Sequence, residues 1–173
     1  ASRAFSLDLR CKISIIIPTP NTLAFMGLFS NMFGGGQDKP VSFNRQEAFT
    51  GFLLAVIAAD GVITSEEILD FYSAVNKAQI MENVSQDAFK KIVQKCMDVL
   101  KKKGFEELLQ LSALGTTPEM SKGIFAYTCD LVFSDSNVDP TEAKMLDRIK
   151  DLLKIDDDFA TKAGRVAKAK ASV

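Results

Sequence analysis

From Asn44 onward, apolar residues recur at intervals of three and four, and each run ends at a residue that starts or stops helices. A first helix is predicted from about 45 to 59, with Phe49, Phe52, Leu53, Val56 and Ile57 on one broad face. A second starts after Thr64 and runs to about Lys77, turning Ile68, Leu69, Phe71, Tyr72 and Val75 inward. Ser85 caps a third, Gln86 to Lys102, in which Phe89, Ile92, Val93, Cys96, Met97 and Leu100 keep the same spacing. Gly104, placed after a lysine run, suits a helix C-terminus, and a short fourth helix covers Phe105 to Leu114 before Gly115. Thr117-Pro118 opens a fifth, to about Phe133, and Asp139-Pro140 opens a sixth, to about Lys154. Asp156 caps a seventh, from 157 to about 170. Nothing alternates with period two for long enough to make a strand. The expected fold is all-α, a seven-helix bundle over residues 41–173.

Residues 1–25 show no helical period and mix Arg3, Arg10 and Lys12 with Ser, Ile and Pro. Met26 then opens M-G-L-F-S-N-M-F-G-G-G, which reads like a natural protein start. Residues 1–40 are therefore expected to be an irregular or disordered leader and linker, with 1–25 a cleaved or transit-like leader, an expression artefact or upstream translation, the last two preferred. Leu28, Phe29 and Met32 suit either a membrane surface or a segment lying on the core.

The repeat is the most informative feature. Residues 58–67 read A-A-D-G-V-I-T-S-E-E and residues 133–142 read F-S-D-S-N-V-D-P-T-E. Aligning Asp60 with Asp135 brings Ile63 onto Val138, Thr64 onto Asp139 and Glu67 onto Glu142. Upstream, Phe52, Val56 and Ile57 fall on Tyr127, Leu131 and Val132. Each half is a helix, then D-x-x-[IV]-[TD]-x-x-E, then a helix. Such self-similarity predicts two related hairpins about a pseudo-twofold axis, with both acidic loops at one end of the bundle.

Two readings of those loops stand side by side. Thr64-x-x-Glu67 and Asp139-x-x-Glu142 are capping boxes, and Asp60 and Asp135 suit turns closed onto a nearby backbone N–H. The other reading places an ion there. Asp60, Glu66 and Glu67 supply oxygens in the first half; Asp135, Asn137, Asp139 and Glu142 supply them in the second. Oxygen-only donors suit Ca²⁺, Mg²⁺ or Mn²⁺ rather than Zn²⁺. The second loop begins like an EF-hand but is not one: Pro140 replaces the turn Gly, and Leu146 stands at the twelfth position.

The run A-A-D-G-V-I-T-S-E-E-I after an apolar helix, echoed by S-D-S-N-V-D-P-T-E, resembles the tellurite-resistance TerB family over about Val41 to Lys154. The resemblance implies a seven-helix fold with internal pseudo-symmetry and acidic residues proposed to chelate metal. Its motif positions are Asp60 and Glu67, and Asp135 and Glu142. It also implies a place beside other tellurite-resistance and stress proteins. That place is cytoplasmic and extends to the inner face of a membrane. Ser136 replaces the Gly of the family's A-D-G form, so the two loops are not expected to be equally occupied.

Composition narrows the chemistry. A hydrophobic share of 47% with 25% charged residues fits a globular chain, and a net charge of −1 argues against a nucleic-acid partner. There is no His, so the commonest general base and transition-metal ligand is missing. The three cysteines, Cys11, Cys96 and Cys129, form no C-x-x-C pair, which disfavours a thiolate site. No nucleophile elbow or phosphate loop is present, so no enzyme activity is expected. Asp130 reads as a helix Asp or as a further ligand. Lys101–Lys103, and the helically spaced Lys162, Arg165, Lys168 and Lys170, read as solvated helix ends or as faces for an anionic partner. Two functions follow: a non-catalytic divalent-cation-binding or sensing protein, and a metal-free helical interaction module. Neither sets an oligomeric state.

Overall fold

The computed structural model of the chain describes residues 41–134 and 140–172. They form six α-helices and no strand: α1 Arg45–Ile57, α2 Ser65–Lys77, α3 Gln86–Leu114, α4 Pro118–Val132, α5 Pro140–Leu152 and α6 Asp157–Lys170. A 3₁₀ turn, Gln79–Met81, follows α2. The leader at 1–40, including Cys11 and the Leu28, Phe29 and Met32 trio, lies outside the described residues, as do Asp135, Asn137 and Asp139.

The expected third and fourth helices follow one another directly within α3, divided at the predicted Gly104 by a kink, so the described residues hold six helices when that pair is counted as one. Gly104 still interrupts the helical geometry, with φ 84° and ψ −179°. That region belongs essentially to glycine. The helical path resumes at the next residue, so no loop separates the two segments.

α1 is the centre of the fold. The sequence predicts one apolar face, but every residue from Ala48 to Ile57 is buried. Such a helix has no polar side to give to water, so neighbours must surround it. It packs most extensively on α3 and also touches α4, α2 and α5. The approach to α3 is close at Gly51, where an added Cβ would collide with the Ser112 hydroxyl. Phe49 meets Tyr127 of α4 edge-on at 5.3 Å between ring centroids. α6 closes the bundle against α4. Phe71 and Tyr72 of α2 join Phe89 of α3 in an aromatic cluster.

α2 departs from expectation at one position. Leu69, predicted to face inward, is 53% exposed, while Phe71, Ala74 and Val75 are buried. Inside α1, Thr50 is fully buried and its hydroxyl has no hydrogen-bond partner among the described residues. Ser112 and Thr128, also fully buried, avoid that penalty by donating to the carbonyls of Leu108 and Phe125.

Gly104→Ala forces a side chain into the left-handed extended region and is expected to lower stability by about 1–3 kcal/mol in urea unfolding. Thr50→Val removes a stranded hydroxyl at nearly constant volume. It is expected to raise stability by roughly 1 kcal/mol, read as a higher urea midpoint at unchanged m-value.

Candidate functional site

The first acidic loop is built by ordinary turn and cap chemistry. Ala58 N–H donates to the Leu54 carbonyl at 3.1 Å, and Gly61 N–H to the Ala58 carbonyl at 3.1 Å. Gly61 then takes φ 87°, a left-handed value that reverses the chain. Val62 N–H donates to Asp60 Oδ1 at 2.8 Å, closing the turn through the side chain. Thr64 caps α2: Glu67 N–H donates to Thr64 Oγ1 at 3.2 Å, and Thr64 N–H donates back to Glu67 Oε2 at 2.7 Å. The Thr64 hydroxyl donates to the same Oε2 at 2.8 Å. The capping-box expectation for Thr64 and Glu67 is thus met.

These bonds use one oxygen of each carboxylate. Asp60 Oδ2 and Glu67 Oε1 make no hydrogen bond among the described residues. Glu66 and Asp70 make none there at all.

Both halves of the repeat meet at one cleft of about 550 Å³. The first hairpin brings Asp60, Glu66, Glu67 and Asp70 to it, and the second brings Glu142. Val56, Ile57, Leu69 and Leu131 supply apolar lining, and Thr64 and Ser134 add hydroxyls. Two aligned pairs, Val56 with Leu131 and Glu67 with Glu142, therefore face one space. Among the described residues no Lys or Arg lines it, so the carboxylates there make a negative field that favours cations over oxyanions.

The donor chemistry of the cleft fits a hard cation, since among the described residues every charged group in it is a carboxylate. The arrangement is less complete. Among the described residues, no group of three or more His, Cys, Asp or Glu side chains is positioned to hold a metal ion. Asp60, Glu66, Glu67 and Glu142 share the cleft without forming a finished coordination shell.

Asp70 is a lining carboxylate that the sequence reading passed over. Its signal was present: it follows Glu66 by one helical turn on α2. Asp130 goes elsewhere. Lys170 Nζ donates to both its oxygens, at 2.9 and 2.8 Å. Burial pushes the Cys96 and Cys129 thiols up to about 12, with Glu47 adding to the effect at Cys96 and Asp130 at Cys129. Both are protonated at neutral pH and supply no thiolate ligand.

Comparison with known proteins decides the family. The family model described as tellurite resistance protein TerB matches residues 46–164, from the start of α1 into α6. The chain belongs to the TerB family. No curated protein and no solved structure matches it. The TerB match takes in both helix–loop–helix halves and the whole acidic cleft.

Thr64→Ala removes the cap of α2 and is expected to cost about 1 kcal/mol by urea unfolding. Glu67→Gln keeps an acceptor for the Thr64 N–H and is expected to cost less than Thr64→Ala in the same measurement.

Proposed function

We propose that this TerB-family chain is a non-catalytic, divalent-cation-binding or sensing protein of the tellurite-resistance type, with the acidic cleft as its working site. The observation that carries this reading is the meeting of Asp60, Glu66, Glu67 and Asp70 with Glu142 in one cleft with no basic side chain among the described residues that line it. Asp60 and Glu67 are the leading ligands, because each keeps one oxygen clear of its turn or cap bond. Glu142 joins from the second half, and Asp135, Asn137 and Asp139 remain candidates from the sequence.

Ca²⁺, Mg²⁺ or Mn²⁺ suits these donors better than Zn²⁺, which prefers nitrogen and sulfur. Because the carboxylates are not gathered beforehand, binding must reorder side chains, which places affinity in the weak range, roughly 10⁻⁴–10⁻³ M. The partners proposed are other tellurite-resistance or stress proteins. The place proposed is the cytoplasm, including the inner face of a membrane. Among the described residues no helix is long and apolar enough to cross a membrane. Attachment there would be peripheral.

A second reading, a metal-free interaction module, is favoured by two observations. No finished metal group exists among the described residues, and Leu69 and Val62 stand 53% and 62% exposed beside the acidic loop.

Thermal melts in EDTA and with each cation separate the two. A cation at ten times its Kd stabilises the native state by about 1.4 kcal/mol. That corresponds to a rise in Tm of roughly 3–6 °C for a chain of this size. The expected outcome is such a rise with Ca²⁺, Mg²⁺ or Mn²⁺, lost in Asp60→Asn combined with Glu142→Gln. No shift with any of them at millimolar concentration favours the metal-free module.

A further inference from the structure

A groove of about 460 Å³ runs along the first half of α3. Lys91, Gln94, Lys95, Asp98, Val99 and Lys102 line it at the three-and-four spacing of one helix side, and Val41 lines it from outside the helix. Several polar groups of this lining are already engaged. Gln94 donates to Asp98 Oδ1 at 2.8 Å, and Lys95 donates to the Ser42 carbonyl at 2.7 Å and pairs with Glu47 at 2.8 Å. Lys91 and Lys102 are exposed. Such long side chains lay their methylene stems along apolar surface and keep the ammonium in water. The surface left for an occupant is Val41, Val99 and these stems.

The chain itself enters at this groove. Val41 is the first residue the structure describes, and it is half-buried against the core. The next two residues are fixed to α3. The Ser42 carbonyl accepts from Lys95, and the buried Phe43 ring lies 5.3 Å from the Lys95 ammonium. Residues 1–40 are therefore tethered at the groove's own wall. Within them, residues 26–33 read M-G-L-F-S-N-M-F, eight residues with no charged side chain. Leu28, Phe29, Met32 and Phe33 have the spacing of one helix face, with Gly27, Ser30 and Asn31 on the other.

We propose that residues 26–33 of the same chain fold back and seat Leu28, Phe29, Met32 and Phe33 in this groove. The lengths agree. The connector 34–40 has seven residues and spans up to about 24 Å. From Lys91 to Lys102 the helix covers about 16 Å, and a helical segment over 26–33 needs about 12 Å of it. Gly34, Gly35 and Gly36 leave the connector free to reverse. A connector this short holds the segment at an effective concentration on the order of millimolar, so a modest apolar contact is enough. The segment carries no charge, so the seat rests on apolar burial and not on charge matching. The groove shares no residue with the acidic cleft, and the inference stands apart from the cation reading.

Nuclear magnetic resonance of the full chain in EDTA tests it. Cys11→Ser with Ser30→Cys leaves one reactive thiol, because Cys96 and Cys129 are buried, and a nitroxide on it sits on the polar side of the segment. The amide signals of Gln94, Asp98 and Lys102 are expected to lose about half or more of their intensity relative to the reduced label, since tethering keeps the seated state dominant. Leu69 and Val166, exposed apolar residues elsewhere, should keep most of theirs. The effect should survive about 1 M salt, where charges are screened beyond ~3 Å. Phe29→Ser with Met32→Ser leaves a free tether and should weaken the broadening several-fold. Lys91→Ala with Lys102→Ala removes the stems and should weaken it too. Lys91→Met with Lys102→Met keeps the stems without the charge and should preserve it. Both lysines are exposed, so circular dichroism melts of these variants should match the wild type.

Several results overturn the inference: broadening that is the same with and without Phe29 and Met32, broadening centred on Leu69 or Val166, or broadening that high salt removes. A labelled chain that broadens the groove of an unlabelled second chain as strongly as its own also overturns it, and gives the groove to a neighbouring copy. A segment that broadens no groove signal, yet carries the chain onto phosphatidylglycerol vesicles through Phe29 and Met32, is assigned to a membrane surface instead.

Discussion

The fold depends on a helix that water cannot accept. Ten consecutive residues of α1, Ala48 to Ile57, are buried, so α1 has no side on which a solvated face could lie. Surrounding helices must supply the contacts that each of its positions would otherwise lose. The substantial partner is α3, and Gly51 sets how near it comes, because the Ser112 hydroxyl occupies the space a Cβ would need. This constraint also places the chemistry. The two ends of a buried helix are where its chain must emerge, and both notable surfaces are found there. The acidic cleft gathers around Val56, Ile57 and Asp60 at one end, and a groove lined by Lys91, Lys95, Asp98 and Lys102 of α3 lies by Val41 and Ser42 at the other.

Much of this was legible in the sequence, for reasons that differ by element. Helix starts were clear because they are local. Thr64, Ser85 and Asp156 each accept from a backbone N–H three residues on, as their side chains suggested. The all-helical class followed from apolar spacing. Spacing does not tell a half-buried helix from a fully buried one when small and polar residues fill the remaining side, as Thr50, Gly51 and Ala55 do in α1. Leu69 was misplaced for the opposite reason: it fits the apolar period of α2, but no neighbour covers it. Gly104 shows a third limit. A glycine after lysines marks a break, and a helix resuming at Phe105 was expected, but the sequence does not say that the two segments join without a loop.

The turn and cap roles of the first acidic loop are physical facts, while the second loop lies outside the described residues. Asp60 closes a turn and Glu67 closes a cap, which is enough reason for both residue types. What local chemistry leaves over is the second oxygen of each carboxylate and the nearness of Glu142 from the other half. Spacing within one loop could not reveal that nearness, because it depends on α1 packing against α4. The repeat alignment pointed toward it only by setting Glu142 against Glu67.

Helix electrostatics separate the carboxylates further. Glu66 and Glu67 lie in the first turn of α2, where the positive end of the helix dipole favours negative charge. Asp60 lies just beyond the C-terminal end of α1, where carbonyls concentrate negative potential and a carboxylate is disfavoured. Its single backbone bond from Val62 offsets part of that cost. Unlike Glu66 and Glu67, Asp60 therefore sits against the field of its helix end, in a cleft with no Lys or Arg among the described residues that line it. Positive charge arriving from outside is what would relieve it. In the cation-binding reading proposed above, Asp60, rather than Glu66 or Glu67, is the residue at which a cation would gain most.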